Sequence, residues 1–192
     1  LLHGSEQELR DRFTGRLQFG TAGLRAAVGV GPQRMNRLVV QQAAAGLVEY
    51  LLAHVPDVAD AGVLIGYDMR RKSDAFALDT ARVCAARGVK ALLFDQIVPT
   101  PVLAWNITAL GAAAGVRVTA SHNPPADNGY KVYLATGAQI VPPADTDISA
   151  CIDDVDPTSV ELASPDHPLI KYVGAEEIEA TVVALPAERV IP

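Results

Sequence analysis

Short apolar runs alternate with longer amphipathic segments along most of the 192-residue chain, and this alternation constrains the fold most strongly. The runs at 63–65 and 89–94 have the length of buried strands. Between residues 36 and 51, apolar side chains recur at three- and four-residue spacing, which is typical of an amphipathic helix. Strands that alternate with helices predict an α/β domain with helices packed on a sheet. Further strands are predicted at 115–119 and 130–134.

Several helix ends are marked by capping residues. Ser5 and Asn36 each precede an amphipathic segment and are predicted N-caps. Ser73 is predicted to cap a further helix. That helix is predicted to end at Gly88, because glycine readily adopts the left-handed conformation that follows many helices.

The composition changes between residues 153 and 168, where Asp, Pro, Ser and Thr dominate with little periodicity. We therefore predict a first domain over 1–153, a linker over 154–168 and the start of a second domain over 169–192. An amphipathic helix is predicted from residue 175 to residue 185. A single such helix cannot bury its apolar stripe alone, so we expect it to belong to a larger unit.

Charge and cysteine content disfavour several classes of protein. Sixteen basic against 22 acidic residues give a net charge of −6, which opposes binding to the phosphate backbone of nucleic acids. No segment has the pattern of a signal peptide or of a membrane span. Cys84 and Cys151 are far apart and do not form a disulfide framework, so a reduced, cytoplasmic location is expected.

Standard cofactor motifs are incomplete in this sequence. The glycines at 20, 23, 29 and 31 do not form the G-x-G-x-x-G pattern of dinucleotide sites, and no phosphate-binding P-loop is present. The four histidines lack partners at zinc-ligand spacing, so no metal cage within the chain is expected. The basic cluster Arg70-Arg71-Lys72 is open to two interpretations. It could hold an anion or another loop, but a short run of this kind is more often a solvated or ion-paired surface.

Residues 116–133 carry the most chemical information, since they predict a strand, a compact polar loop and a second strand. Ser121 lies just past the first strand, where ligands gather in open α/β sheets. The turn-forming pairs Asn123-Pro124 and Asn128-Gly129 stiffen both ends of the loop. A hydroxyl flanked by His122 and facing Lys131 could accept a phosphate. Alternatively, the loop is an ordinary tight connection whose polar side chains satisfy its own backbone.

The run Thr-Ala-Ser-His-Asn-Pro at 119–124, with Asn-Gly-Tyr-Lys at 128–131, closely resembles the phosphoserine loop of the α-D-phosphohexomutases. This is the phosphoglucomutase and phosphomannomutase superfamily. The run Phe-Gly-Thr-Ala-Gly-Leu-Arg at 19–25 resembles the opening signature of the same family, and residues 66–70 and 99–101 also agree. The resemblance covers about residues 15–150. It implies the first of four domains, a three-layer αβα sandwich around a small mixed β-sheet.

By this resemblance, the chain takes part in intramolecular phosphoryl transfer between hexose 1-phosphate and hexose 6-phosphate, through a phosphoserine and a bisphosphate intermediate. Ser121 matches the phosphoserine, His122 the neighbouring active-site histidine, and Arg25 and Lys131 the cationic positions near the phosphate. Phosphoryl transfer asks a protein mainly for positioning and positive charge, which these residue types supply.

The resemblance also implies Mg²⁺, bound by Ser121 through its phosphate and by aspartates of the second domain, and a hexose bisphosphate as activator. That aspartate-rich loop does not occur in this sequence. We therefore expect an N-terminal part of a mutase, inactive alone, whose partners are a sugar phosphate and the remaining mutase domains. The alternatives are a phosphopentomutase of the same superfamily and a non-catalytic domain that binds an anion or a partner.

Arg117 departs from the family pattern, in which an apolar residue, often Met, usually occupies this place in the strand. Strand alternation puts Arg117 and Thr119 on one face and Val116 and Val118 on the other. Because a buried unpaired guanidinium is strongly destabilising, we predict that Arg117 pairs with a carboxylate or reaches solvent.

Overall fold

Helices and strands alternate as the sequence predicts in the computed structural model, which describes residues 5–180. The strands of that range are β1 Leu24–Ala27, β2 Val63–Tyr67, β3 Ala91–Phe94, β4 Ala114–Val118, β5 Asp127–Leu134 and β6 Ile170–Val173. The helices are α1 Glu6–Phe13, α2 Arg37–His54, α3 Val58–Ala61, α4 Ser73–Ala86, α5 Thr100–Ala109 and α6 Ala144–Asp154. Among the described helices, none is both long and apolar enough to cross a membrane.

The strands form one mixed sheet in the order β1-β5-β4-β2-β3-β6. Strands β2, β3, β4 and β6 pair in parallel, whereas β5 runs antiparallel to both β4 and β1. Helices α2, α4 and α6 pack together over one face, and α5 covers β2 and β4 on the other. This arrangement confirms the predicted three-layer αβα sandwich with a small mixed sheet.

Alternation along β4 divides its side chains between the two faces. Val116 and Val118 are buried in the larger core beneath α2 and α4. On the opposite face, α5 approaches the strands closely because glycines lie beneath it. A Cβ on Gly66 of β2 would come within 2.7 Å of Leu103 on α5, and one on Gly115 of β4 would collide with Ile107. Arg117 is the cross-strand partner of Gly66. It therefore lies on the face of the sheet that α5 covers.

Three predicted helix ends are confirmed, and one is wrong. The side chains of Ser5 and Asn36 accept bonds from the backbone N–H groups three residues on, and Gly88 follows α4 with a φ of 75°. Ser73 is the first residue of α4 rather than its cap, since Lys72 occupies the N-cap position without a side-chain cap bond. The Ser73 hydroxyl instead donates to Asp68 Oδ1 at 2.8 Å.

The sheet continues beyond residue 169, where the sequence predicted the start of a second domain. Strand β6 pairs in parallel with β3, with Ile170 opposite Ala91 and Val173 opposite Phe94. The predicted linker packs on the same unit, because the carbonyl of Ala163 accepts a bond from Arg82 Nε on α4 at 2.7 Å. The structural unit therefore includes β6. Residues 175–180 are helical, and the rest of the helix predicted to reach residue 185 lies outside the described residues.

Gly46 of α2 lies against the backbone of α6, so we predict that Gly46→Ala destabilises the fold. The added Cβ would lie 2.5 Å from both Cα and N of Ile152, and neither atom belongs to a flexible side chain. We expect a loss of about 1–3 kcal/mol in the free energy of unfolding, although alanine favours helices over glycine by about 1 kcal/mol. Chemical denaturation measures the change. Gly20→Ala is the control, because its Cβ would meet nothing within 4 Å. Equal or greater stability of Gly46→Ala would contradict this packing.

Candidate active site

The loop between β4 and β5 presents an exposed serine at the end of the sheet. Ser121 adopts φ = 55°, a left-handed conformation that residues other than glycine seldom occupy. Its Oγ accepts a hydrogen bond of 3.0 Å from Nζ of Lys131 on β5. The structure thus brings Ser121 and Lys131 into direct contact. An unusual backbone conformation at an exposed polar side chain is a feature of functional loops.

Arg70, which lies between β2 and α4, holds this loop through its guanidinium. Its Nη1 donates to the carbonyls of Pro124 at 2.8 Å and Asp127 at 3.0 Å. Its Nη2 donates to the carbonyls of Ser121 at 3.0 Å and Asn123 at 2.8 Å. Both interpretations of the basic cluster apply to Arg70. It holds another loop, and its Nε also lies 3.6 Å from Oδ2 of Asp68 in an ion pair.

Asp68 connects Arg70 to the strand that carries the serine. Its Oδ2 accepts from the Thr119 hydroxyl at 2.6 Å, and Thr119 Oγ1 accepts in turn from the Ser121 backbone N–H at 3.1 Å. Its Oδ1 accepts from the Arg70 backbone N–H and from Ser73. Sequence reasoning assigned no role to Asp68 or Thr119 and left the role of Arg70 open, although all three lie in the segments that carry the family resemblance.

The glycine-rich segment at 19–25 packs beside the loop and delivers Arg25. Gly23 has φ = 75°, and a Cβ there would collide with the carbonyl of Tyr130, so only glycine fits. The Thr21 hydroxyl donates to Asp145 at the start of α6, which holds the pKa of that carboxyl below its usual range. Arg25 follows on β1, opposite Gly129 of β5.

Three cationic side chains occupy one face of neighbouring strands beside Ser121. Arg117 of β4 is the cross-strand partner of Lys131 on β5, and Arg25 of β1 pairs with Gly129, two residues before Lys131. Arg25 is exposed and Lys131 is buried. Burial lowers the pKa of Lys131, and the charges of Arg25 and Arg117 lower it further. Within residues 5–180 none of the three forms an ion pair with a carboxylate. Their combined field favours an anion.

Arg117 contradicts the prediction that it would pair with a carboxylate or reach solvent. The residue is only 4% exposed, and its Nε and Nη1 are buried without a hydrogen-bond partner. Burial lowers the pKa of its guanidinium, which the charge of Asp68 partly offsets. The physical reason is local: α5, which covers this face, carries no acidic residue, and the Asp68 oxygens already accept bonds from other groups.

His122 is exposed beside Ser121 in the same loop. Of the four residues predicted for the site, the structure joins Ser121 and Lys131 by a hydrogen bond, and it places Arg25 on the same face of the sheet. His122 adjoins them in sequence and makes no side-chain bond within the described range.

Residues 5–180 do not form a magnesium site on their own. In the described part of the chain, no three His, Cys, Asp or Glu side chains come together in a way that could hold a metal ion. The acidic groups of the loop network, Asp68 and Asp127, already accept bonds from Thr119 and Asn123. Beside Ser121 lie cations, which suit a phosphate group rather than a bare divalent ion.

Comparisons with known proteins agree with the αβα fold of this chain. The sequence model of the phosphoglucomutase/phosphomannomutase alpha/beta/alpha domain I matches residues 16–159. The "Probable phosphoribomutase" of Schizosaccharomyces pombe is 53% identical over 138 residues, which are 72% of this chain and 24% of that protein. The "Probable phosphomannomutase" of Haemophilus influenzae is 56% identical over 124 residues, 63% of this chain and 25% of that protein.

Among solved structures, the crystal structure of a "putative phosphomannomutase" from Thermus thermophilus superposes with a TM-score of 0.74 at 29% identity. The match covers 91% of this chain and 36% of that one. The chain spans about a quarter of the length of the curated relatives that it matches.

We predict that Arg70→Ala loosens the loop around Ser121, because it removes the donors to the carbonyls of residues 121, 123, 124 and 127. Backbone amides of residues 121–127 should exchange with solvent faster, measured by hydrogen–deuterium exchange of the loop peptide. Stability should fall by about 1–3 kcal/mol. Arg71→Ala, the exposed neighbour, is the control and should change neither quantity. Unchanged exchange in Arg70→Ala would show that the loop holds its shape without this side chain.

Proposed function

The chain belongs to the phosphoglucomutase/phosphomannomutase family, and we propose that Ser121 is the residue that receives and passes on a phosphoryl group of a sugar phosphate. The hydrogen bond of 3.0 Å from Lys131 Nζ to Ser121 Oγ carries this proposal. Two further features support it: the serine is exposed on a loop fixed by Arg70, and the cations beside it have no carboxylate partner in the described range.

In the proposed reaction, a phosphoryl group moves from Ser121 to a free hydroxyl of a sugar monophosphate. The bond between Oγ and phosphorus breaks while a bond between phosphorus and the sugar oxygen forms. The proton of the sugar hydroxyl ends on Ser121 Oγ, so the products are serine and a sugar bisphosphate. The bisphosphate turns over and returns its other phosphate to Ser121 by the same exchange. The net result is isomerisation of the sugar phosphate.

The chain's own residues would serve this reaction by position and charge. The Lys131 ammonium donates to Oγ and stabilises the negative charge that develops there as the phosphoryl group leaves. Arg25 can meet phosphate oxygens with two parallel donors, whereas lysine acts as a point charge. His122 lies next to the serine on the exposed side, where a sugar would approach.

For the substrate, we propose hexose phosphates that exchange between the 1- and 6-positions. One of the relatives compared is named a phosphomannomutase, after a hexose, and another a phosphoribomutase, after a pentose. A pentose phosphate is therefore the second candidate. Assays of the full-length protein with mannose, glucose and ribose 1-phosphates would separate the two. We propose that the sugar is recognised by parts of the protein beyond this chain, since the matched relatives are about four times as long as the matched segment.

A hexose bisphosphate would serve as the activator that first loads Ser121. Mg²⁺ would take an oxygen of the phosphate on Ser121, and its other ligands would come from outside the described residues, which offer no cluster for it.

We predict that the full-length protein incubated with glucose 1,6-bisphosphate gains one phosphate, and that it lies on Ser121. Ser121 is the exposed hydroxyl to which Lys131 donates, so it is the favoured acceptor. Peptide mass mapping locates the group, and Ser121→Ala should abolish the modification. Phosphate found reproducibly on Thr119 or Thr21 would overturn the assignment.

We predict that Lys131→Met and Arg25→Met each slow the loading of Ser121 by about 10²-fold, the usual cost of removing one preorganised donor. Neither change should destabilise the fold, because neither side chain forms an ion pair within residues 5–180. Loading rates come from quenched-flow mass spectrometry, and thermal melts report stability. Lys171→Met, on the exposed side of β6, is the matched control. Unfolding of Arg25→Met together with an unchanged rate in Lys131→Met would make both residues structural.

A further inference from the structure

Arg117 is a buried charge that the fold itself does not use. The residue is only 4% exposed, and its Nε and Nη1 have no hydrogen-bond partner. Removing a charged group from water without a partner costs far more than the fold recovers from packing its stem. Such groups persist mainly where function requires them.

Within residues 5–180, no carboxylate forms an ion pair with Arg117. Lys131 lies directly opposite on β5, and the other cross-strand neighbour is Gly66 on β2. Helix α5, which covers this face, has no charged residue. Asp68 acts on Arg117 electrostatically and raises the pKa of its guanidinium, against the effect of burial. Its oxygens already accept from Thr119, Ser73 and the Arg70 backbone, and it forms no ion pair with Arg117.

The same side of the sheet leads to Ser121. Lys131, opposite Arg117, donates to Ser121 Oγ, and Arg25 lies one strand further out. Side chains two residues apart in a strand lie on the same face of the sheet. Arg117 and Thr119 therefore both lie on the face that holds the cations, and both precede Ser121 in the sequence. A dianion placed at the end of this row would meet three positive charges within one small region.

We propose that Arg117 is an anion-binding residue of the Ser121 site, where its guanidinium supplies a third positive charge to a phosphate group held by Lys131 and Arg25. This inference rests on the proposed function only for the source of the phosphate. The shared chemistry is a phosphate group, either covalently attached to Ser121 or free in the site. A bound phosphate would neutralise part of the repulsion among the three cations and give the buried guanidinium a counter-charge.

Arg117→Met tests the proposal, because methionine keeps an unbranched stem without the charge. If Arg117 serves an anion, the variant without phosphate should be more stable than the parent chain, with a melting temperature higher by about 2–4 °C. Its affinity for inorganic phosphate, measured by isothermal titration calorimetry, should fall about tenfold or more. Arg117→Lys keeps the charge but loses the fork of donors, so its affinity for phosphate should lie between those of the parent chain and Arg117→Met.

A second measurement uses the unmodified chain. In ¹⁵N-arginine-labelled protein, the Nε–H signal of Arg117 should shift on titration with inorganic phosphate. The signal of Arg82, whose Nε donates to the Ala163 carbonyl, is the control in the same spectrum and should not move. A chain already phosphorylated on Ser121 should show the Arg117 shift before any phosphate is added if the serine phosphate is the ligand. A shift seen only after phosphate is added would identify the free anion as the ligand. It would still support Arg117 as the residue that binds the anion.

Three results would overturn the proposal: lower stability of Arg117→Met, unchanged phosphate affinity in that variant, or an Arg117 signal that stays in place while phosphate binds. Any of these would make the guanidinium structural or unrelated to the site. Each can occur while Ser121 still becomes phosphorylated, and phosphate can shift the Arg117 signal when Ser121 never does. Failure of this inference is thus distinguishable from failure of the proposed function.

Discussion

Strand β5 runs back along β4, with Val118 opposite Tyr130 and Arg117 opposite Lys131, and residues 119–126 form the loop that joins them. This antiparallel pairing fixes the distance between the last residues of β4 and the first residues of β5. Lys131 can therefore reach Ser121 although ten positions separate them in the sequence. Strand β1 then pairs with the other edge of β5 and brings Arg25 to the same face. The site depends on one pairing in the sheet, and the other parts are arranged around it.

Arg70 holds the loop that carries Ser121. Ser121 has a left-handed conformation that is unfavourable for a residue with a Cβ, so the surrounding bonds must hold it there. One guanidinium supplies four bonds to loop carbonyls, and Asp68 ties that guanidinium to Thr119 and the end of β4. The result is a rigid frame that presents a single hydroxyl to solvent, which suits a reaction that relies on positioning.

Several features were predictable because their signals are local. The N-caps at Ser5 and Asn36, the stop at Gly88 and the alternation of β4 follow from short-range geometry. Other features depend on contacts between distant segments. Ser73 looks like a cap, but its hydroxyl donates to Asp68 and accepts from Asn128, which lies 55 residues away. Arg70 is ion-paired with Asp68, but it also reaches a loop about 50 residues away. The segment after residue 153 lacks periodicity, yet it leads to β6 at the edge of the sheet.

Periodicity predicted the α/β class and a polar loop that carries Ser121 beside His122 and Lys131, because these features depend on neighbours in the sequence. The αβα sandwich and the candidate Arg25 were implied by the family resemblance of contiguous motifs. Only the folded structure shows which charged side chains lie close together. In the folded chain, Arg117 lies under α5 with no acceptor for its Nε and Nη1. Arg70 donates to the carbonyl of Ser121, and Lys131 donates to Ser121 Oγ. The reason is physical: the free energy of a charged group depends on its burial and on its partners, and both are set by strands and helices that are remote in sequence.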